Sequence, residues 1–496
     1  MPTGSYDLIV IGNEPAGLVA AALCARRGMR VLVCRTERAR PTYTLGPFTL
    51  PARALPVVGL SGPAISRVLD ELHVDHTFKR RLVDHEPPFQ LIGPDQRLDV
   101  GADVDIMGRE LDRELGDAAA LGRELFARGS EVGGELDAAL GIDATFPPTG
   151  FWDRRGGRSQ ERIADDAAAW LESAGGNPLL AAFAALPAAA STRTDPRKLA
   201  PTACARALAL WRRGTGRIAG DWRAFEELLA SKLTGASGEI REARVSELTW
   251  SWGKVSGVRL EKGEELGAEH VIAAMPMSRL AALTGSKQPK RLTQTAEQIS
   301  ATAYRYTLNL VVAETGVPEG MARTALYVVD PEAPLVGANA IALHVAEPDS
   351  AARVIITVEA VCPAPESGTL EDAMADLRAS LRERLDDVMP FVGDHILLAH
   401  SPNEALPAEG TEGAFELSEP IPPLPLWSSD LESHLGISAV PYDLGIKRLT
   451  VASSQILTGL GLEGDFAAGW GAAKIASSSS GKRREMPKDD LFAAKR

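Results

Sequence analysis

The 496-residue sequence predicts an α/β fold: a Rossmann-like domain interrupted by an inserted α+β domain. Three observations predict it. A strand, glycine turn, helix and strand open the chain, alternating strand patterns fill its middle, and a strand, glycine turn and small-residue helix close it. The length gives ample core for one long interrupted domain or for two to three interleaved ones.

The opening unit is compact. Tyr6–Ile11 (YDLIVI) is an apolar run suited to a buried parallel strand, and Gly12-Asn13-Glu14-Pro15-Ala16-Gly17 makes the turn. An Ala-rich helix runs to Arg27 and Gly28, and Met29–Cys34 is the second strand. Such a spacing within about thirty residues is a βαβ unit. Gly12 serves the tight turn, and Gly17 the close approach of helix to strand. The middle position, where glycine lets backbone amides reach a pyrophosphate, is Glu14. A carboxylate there sets like charges together, at ~1 kcal/mol in water and several in a partly buried site. Two orientations are open to it. It turns outward into solvent, or it bonds a neighbouring loop or the start of the first helix, a built-in anion where a phosphate would lie. The ribose-binding acid expected after the second strand is replaced by Arg35, which reads as a surface residue or as a partner for an NADP-type ribose phosphate.

Tyr43–Phe48 reads as irregular and Pro63–Val74 as a short amphipathic helix. Asp103–Gly141 reads as one long helical region whose charges form a solvated face. Phe146–Trp152 is a loop. A second helical block, Arg162–Leu210, holds the Ala-rich run Leu179–Ala190, interrupted by Pro187. Arg213–Arg217 is a glycine-rich loop before a helix at Trp222–Leu233. Gly238–Arg241 then leads into strands at Val245–Trp252, Val255–Leu260, Leu266–Ala268 and His270–Pro276. Four more strands (Tyr306–Val312, Leu326–Val329, Ala340–Val345 and Val354–Val361) read as an antiparallel sheet, and Leu370–Leu385 as a helix behind it.

Composition narrows the function. A net charge of −13 leaves no electrostatic footprint for nucleic acid. The four cysteines (Cys24, Cys34, Cys204, Cys362) have neither metal nor disulfide spacing, and Cys24 and Cys34 read as small buried hydrophobes. The eight histidines are dispersed, so no metal site is expected, and His344 reads as a buried strand residue. With no signal-peptide pattern and no membrane-length apolar run, the expectation is a cytoplasmic protein.

Near the C-terminus, Arg448–Ala452 is a strand, Thr458–Gly464 (TGLGLEG) a glycine turn, and Asp465–Ala476 a helix of small residues. Paired with the opening βαβ unit, this resembles the phytoene desaturase and flavin amine oxidase superfamily, which carries the FAD/NAD(P)-binding Rossmann-like fold. The resemblance touches both ends and the centre. It implies FAD as cofactor, with Gly12, Glu14, Gly17 and Arg35 at its first contacts and Val245 beside the adenine. Gly459, Gly461 and Gly464 would bring a helix N-terminus to the flavin. Three departures weaken such a site: Glu14, Arg35, and the lack of any glycine in Arg38–Thr44, where the family has a second phosphate loop. The resemblance divides the chain into a discontinuous dinucleotide-binding domain (residues 1–102, 213–283 and 436–476), a helical insertion (103–212) and an antiparallel-sheet substrate domain (284–435). In that family the flavin carries the chemistry, and no catalytic residue can be singled out.

Two functions follow. One is an FAD-dependent oxidoreductase taking a hydride from a small apolar substrate onto the flavin, as phytoene desaturases do. The other is a cofactor-poor, non-catalytic relative acting as a binding or scaffolding subunit. Peripheral membrane contact and homo- or hetero-oligomerisation stay open. Residues 477–496 read as a flexible tail in which Lys482-Arg483-Arg484 begins a basic segment.

Overall fold

The computed structural model describes the chain except for residues 1–3, 37–39, 55, 142, 150–156, 219–220, 288, 411–416, 418 and 480–496. The N-terminal unit is β1 (Gly4–Gly12), α1 (Pro15–Arg26) and β2 (Val31–Arg35). The hairpin β3 (Thr42–Leu45) and β4 (Phe48–Pro51) follows, then β5 (Val57–Val58), α2 (Pro63–Glu71), α3 (Asp75–Lys79), β6 (Leu82–Asp84), β7 (Phe89–Ile92) and β8 (Arg97–Val100). The helical insertion is α4 (Val104–Leu115), α5 (Ala119–Gly141), α6 (Gly157–Ala174), α7 (Pro178–Ser191) and α8 (Pro201–Arg213). The chain returns through β9 (Thr215–Ile218), α9 (Asp221–Gly235), β10 (Glu239–Glu242), β11 (Val245–Ser251), β12 (Lys254–Leu260) and β13 (Glu265–Ala274). Short helices α10 (Met277–Ala282) and α11 (Lys290–Glu297) lead to β14 (Ile299–Ala313), β15 (Thr324–Val328), β16 (Gly337–Val345), β17 (Arg353–Pro363) and α12 (Leu370–Val388). The last elements are β18 (Ile396–His400), β19 (Glu409–Gly410), β20 (Leu424–Ser429), β21 (Leu449–Val451) and α13 (Gly461–Ser479).

Two sheets organise these elements. The seven-stranded sheet runs β10-β2-β1-β13-β12-β11, with β21 also paired to β13. Its pairs are parallel from β10 to β13 and for β21, and antiparallel from β13 to β11. The expected common sheet for Tyr6–Ile11 and Arg448–Ala452 is present, because β13 carries β1 on one side and β21 on the other. The nine-stranded sheet runs β19-β18-β14-β17-β16-β15-β7-β8, with β20 on β14. Cys24, Cys34, Cys204 and Cys362 are all buried and free. No described helix is long and apolar enough to cross a membrane.

Several elements depart from the sequence reading. Tyr43–Phe48 is a hairpin, packed through Tyr43, Leu45, Phe48 and Leu50. The helical region after Asp103 is two helices, because Gly116 at φ +51° ends α4 in the left-handed region. Pro187 stays inside α7, whose buried apolar faces outweigh one lost backbone bond. Thr215–Ile218 is a strand and not a loop, since Gly216 lets it lie against β6, where an added Cβ would stand 2.6 Å from the Val83 carbonyl oxygen. Leu266–Ala268 and His270–Pro276 merge into the single strand β13. β7 and β8, placed by sequence in the dinucleotide-binding part, extend the nine-stranded sheet through β15. The last helix starts at Gly461 rather than Asp465 and runs to Ser479, so Ser477–Ser479 is helix and not linker. Gly150–Trp152 and the basic segment from Lys482 lie outside the described residues.

Candidate functional site

The β1–α1 turn and the β21–α13 connection meet at the carboxyl end of the parallel strands, where open α/β sheets hold their ligands. Glu14 stands at that junction. It is the N-cap residue of α1, with extended backbone, yet its side chain bonds no amide of α1. Its Oε2 instead accepts a hydrogen bond from the backbone N–H of Ser454, in the connection after β21. Of the two orientations open in sequence, the structure adopts the turn toward a neighbouring loop. Burial pushes the Glu14 carboxyl up to about 7; Asp465 adds to this, while the Ser454 amide and Arg193 oppose it.

The glycines expected to serve a cofactor are taken up by the protein's own backbone. Gly12 has φ +119°, and a Cβ there would stand 2.0 Å from the Ala274 carbonyl oxygen. A Cβ on Gly17 would lie 2.2 Å from that of Ala274. At the other turn, Gly461 (φ +54°) would meet the Ser191 carbonyl oxygen at 2.3 Å, Gly464 that of Leu457 at 2.4 Å, and Gly459 the Ile437 Cα at 2.9 Å. Packing alone therefore accounts for these five positions. Arg35 closes β2 with its carbonyl accepting from Ala243 N at 2.9 Å, two residues before Val245 opens β11. Its buried Nε has no hydrogen-bond partner.

Where the nine-stranded sheet faces α7, α8 and the start of α13 lies a recess of about 90 Å³, lined by charged side chains that the sequence reading did not single out. Arg206 of α8 bonds Glu463, in the first turn of α13, at 2.8 and 2.6 Å, and Asp137 of α5 at 2.7 Å. The two carboxylates raise its guanidinium further above its usual range. Asp465, one turn inside α13, is buried with neither carboxylate oxygen hydrogen-bonded. Arg193 Nη2 approaches it to 3.7 Å. Burial raises the Asp465 carboxyl, opposed by Arg193 and Arg53. Burial pulls Arg53 down to about 10, with Glu359 and Asp465 holding it up. Arg305 of β14 donates to the Ala189 and Thr192 carbonyls at 2.9 and 3.2 Å, and Glu359 of β17 accepts from Ala54 N at 2.8 Å. One sequence signal could have found Arg206: a single cation within the apolar run Cys204–Trp211 (CARALALW) marks a buried ion pair.

These residues do not fit a dinucleotide as they stand. A carboxylate holds the Ser454 amide at the turn where a pyrophosphate would lie, and Arg35 replaces the ribose acid. The recess is far below the roughly 300–1,000 Å³ of small-molecule sites. Among the described residues no His, Cys, Asp and Glu cluster could hold a metal.

The fold and this junction define a Rossmann-type α/β protein with an inserted antiparallel sheet. No protein-family profile matches the chain. Among solved structures it is similar to an oxidoreductase from Methanosarcina mazei (TM-score 0.59, 14% identity, 94% of this chain and 99% of that one). It is also similar to wild-type putrescine oxidase bound to putrescine (TM-score 0.57, 15% identity, 96% and 98%). A third is cyclohexylamine oxidase from Brevibacterium oxydans IH-35A (TM-score 0.56, 14% identity, 95% and 98%). The chain thus shares, nearly from end to end, the Rossmann-like fold of these three proteins.

Proposed function

We propose that this chain keeps an oxidoreductase fold but works without the dinucleotide, as a binding or scaffolding protein. The contact between the Glu14 side chain and the Ser454 amide carries the reading, because it puts the protein's own carboxyl oxygen at the turn where a phosphate would lie. The four free, buried cysteines agree with a reducing cytoplasm.

A second reading is an FAD-dependent oxidoreductase acting on a small apolar substrate. It is favoured by the fold likeness and by Asp465, whose buried oxygens lack hydrogen-bond partners beside the recess. One experiment separates the two. Freshly purified protein is scanned for the flavin band in the blue, and FAD is titrated into wild type and Glu14→Gly. The first reading expects no band, and a gain in FAD affinity of tenfold or more on the substitution, about 1.4 kcal/mol. Stoichiometric flavin in the wild-type protein would reject it and establish the second.

A further inference from the structure

A second cavity lies away from the recess, on the outer side of the helical insertion. α4, α5 and α8 enclose a groove of about 440 Å³, within the size range of small-molecule sites. Its floor is apolar: Met107, Leu111 and Phe126 are buried there, and Val104 stands at the mouth 77% exposed. Three arginines also line the groove, and of these Arg212 of α8 is buried, only 9% exposed. Its Nε donates to the Gly101 carbonyl at 3.3 Å, and its Nη1 donates to the Phe126 carbonyl at 2.6 Å and to Ser130 Oγ. Among the described residues no carboxylate pairs with Arg212, and no hydrogen bond engages its Nη2. The neighbouring guanidiniums are already neutralised, Arg123 by Asp112 at 2.7 Å and Arg213 by Asp137 at 2.8 Å.

A guanidinium stays charged at any ordinary pH, and burying it without a counter-charge costs several kcal/mol. Carbonyl oxygens offset part of that cost and leave the net charge in place. Burial is the sole influence on the Arg212 titration, and it acts against the charged form. The groove therefore lacks one negative charge and offers apolar surface for everything else. We propose that it binds an amphipathic monocarboxylate, with an alkyl chain along Met107, Leu111 and Phe126 and its carboxylate on Arg212 Nη2. The site is independent of either reading of the recess.

Dodecanoate is the probe, titrated calorimetrically into the full-length protein beside dodecanol and dodecyl phosphate. The expected result is saturable one-to-one binding of dodecanoate, with dodecanol and dodecyl phosphate each at least tenfold weaker. Arg212→Gln weakens dodecanoate at least tenfold. If that variant fails to fold, Gly108→Leu replaces it: a Cβ on Gly108 meets nothing within 4 Å, so the leucine fills groove space without displacing core. That variant keeps the wild-type melting temperature and loses dodecanoate. Equal affinity for acid and alcohol, tighter binding of the phosphate, or undiminished binding in Gly108→Leu would each overturn the proposal. So would a dimer seen by sedimentation that Gly108→Leu disperses, which would make the groove a contact between copies of the chain.

Discussion

Glu14 shows how far a single residue can be read before its surroundings are known. The sequence places it at the middle of the glycine turn and leaves two orientations, because the deciding partner, the Ser454 amide, lies 440 positions away. The glycines are misleading in the opposite way. Gly12, Gly17, Gly459, Gly461 and Gly464 look like cofactor residues in sequence, yet each is explained by a collision that any Cβ would cause within the protein. Arg53, Arg193 and Arg305 were illegible, since nothing local to an arginine says that it lines a recess built from segments far apart in sequence. Glu14 also carries a pH dependence. Its carboxyl rises from 4.5 in the unfolded chain to about 7 in the fold, so between those values the native state holds a proton that the unfolded state has released. Stability from this residue is therefore lost as pH rises through that window, by an amount on the order of 3 kcal/mol. Glu14→Gln keeps an acceptor for Ser454 and has no such proton to lose. Its melting temperature should match wild type near pH 4.5 and exceed it by several degrees at pH 8. A difference that stays flat across that range would reject the argument.

At the scale of elements, periodicity and glycine placement exposed most strands and helices, and the misses share one cause. Thr215–Ile218 and the residue-by-residue extent of α13 depend on partners far away in sequence, and the hairpin at Thr42–Leu45, though paired locally, is packed in one cluster with the distant Val311 and Leu398. The meeting of α8 with α13 is a stronger case, held by a buried ion pair between Arg206 and Glu463. Removing one partner leaves the other charge buried, at a cost of about 3–5 kcal/mol, whereas replacing both with apolar side chains of similar size is close to neutral. Glu463→Ala should therefore shift the urea midpoint down strongly, and Arg206→Met with Glu463→Met should recover most of the loss. If the double variant is as unstable as the single one, the pair is not what joins the helices. His270 ties three elements: its Nε2 meets Thr450 Oγ1 of β21 at 2.8 Å and its Nδ1 meets Ser479 Oγ of α13 at 3.1 Å. Burial pulls its imidazole from 6.5 down to about 4. The unfolded chain takes up that proton first, so stability falls as pH drops from 6.5 toward 4. His270→Leu should flatten that acid limb in a melting series, and an unchanged slope would assign it to other groups.

For the whole molecule, both ends of the chain meet in one sheet, which the sequence disclosed through its two terminal strand–turn–helix patterns. The boundary between the two sheets was less legible, because β7 and β8 cross into the nine-stranded sheet by pairing with a strand more than two hundred residues later. The same closure makes the C-terminus structural up to a definite point. α13 packs so closely on α1 that a Cβ on Gly469 would lie 2.6 Å from the Ala16 carbonyl oxygen. The helix continues past the expected linker: Ser477 Oγ accepts from Arg27 Nη1 at 3.1 Å, and Ser479 reaches His270. Arg27 is itself buried and paired with Glu71 of α2 at 2.9 Å, so the final turn of α13 joins the network that fixes α1 to α2. Deleting Lys482–Arg496 should leave the melting temperature within about 2 °C of wild type, since it removes none of these bonds. Deleting Ser477–Arg496 should lower it clearly further, because it strips the hydrogen bonds from Arg27 and His270, each worth about 1 kcal/mol or more where the donor is charged. Differential scanning of the two truncations checks both statements at once. Equal losses would mean that the bonds of Ser477 and Ser479 contribute nothing, and a large loss from the shorter deletion would mean that the basic segment is packed against the fold.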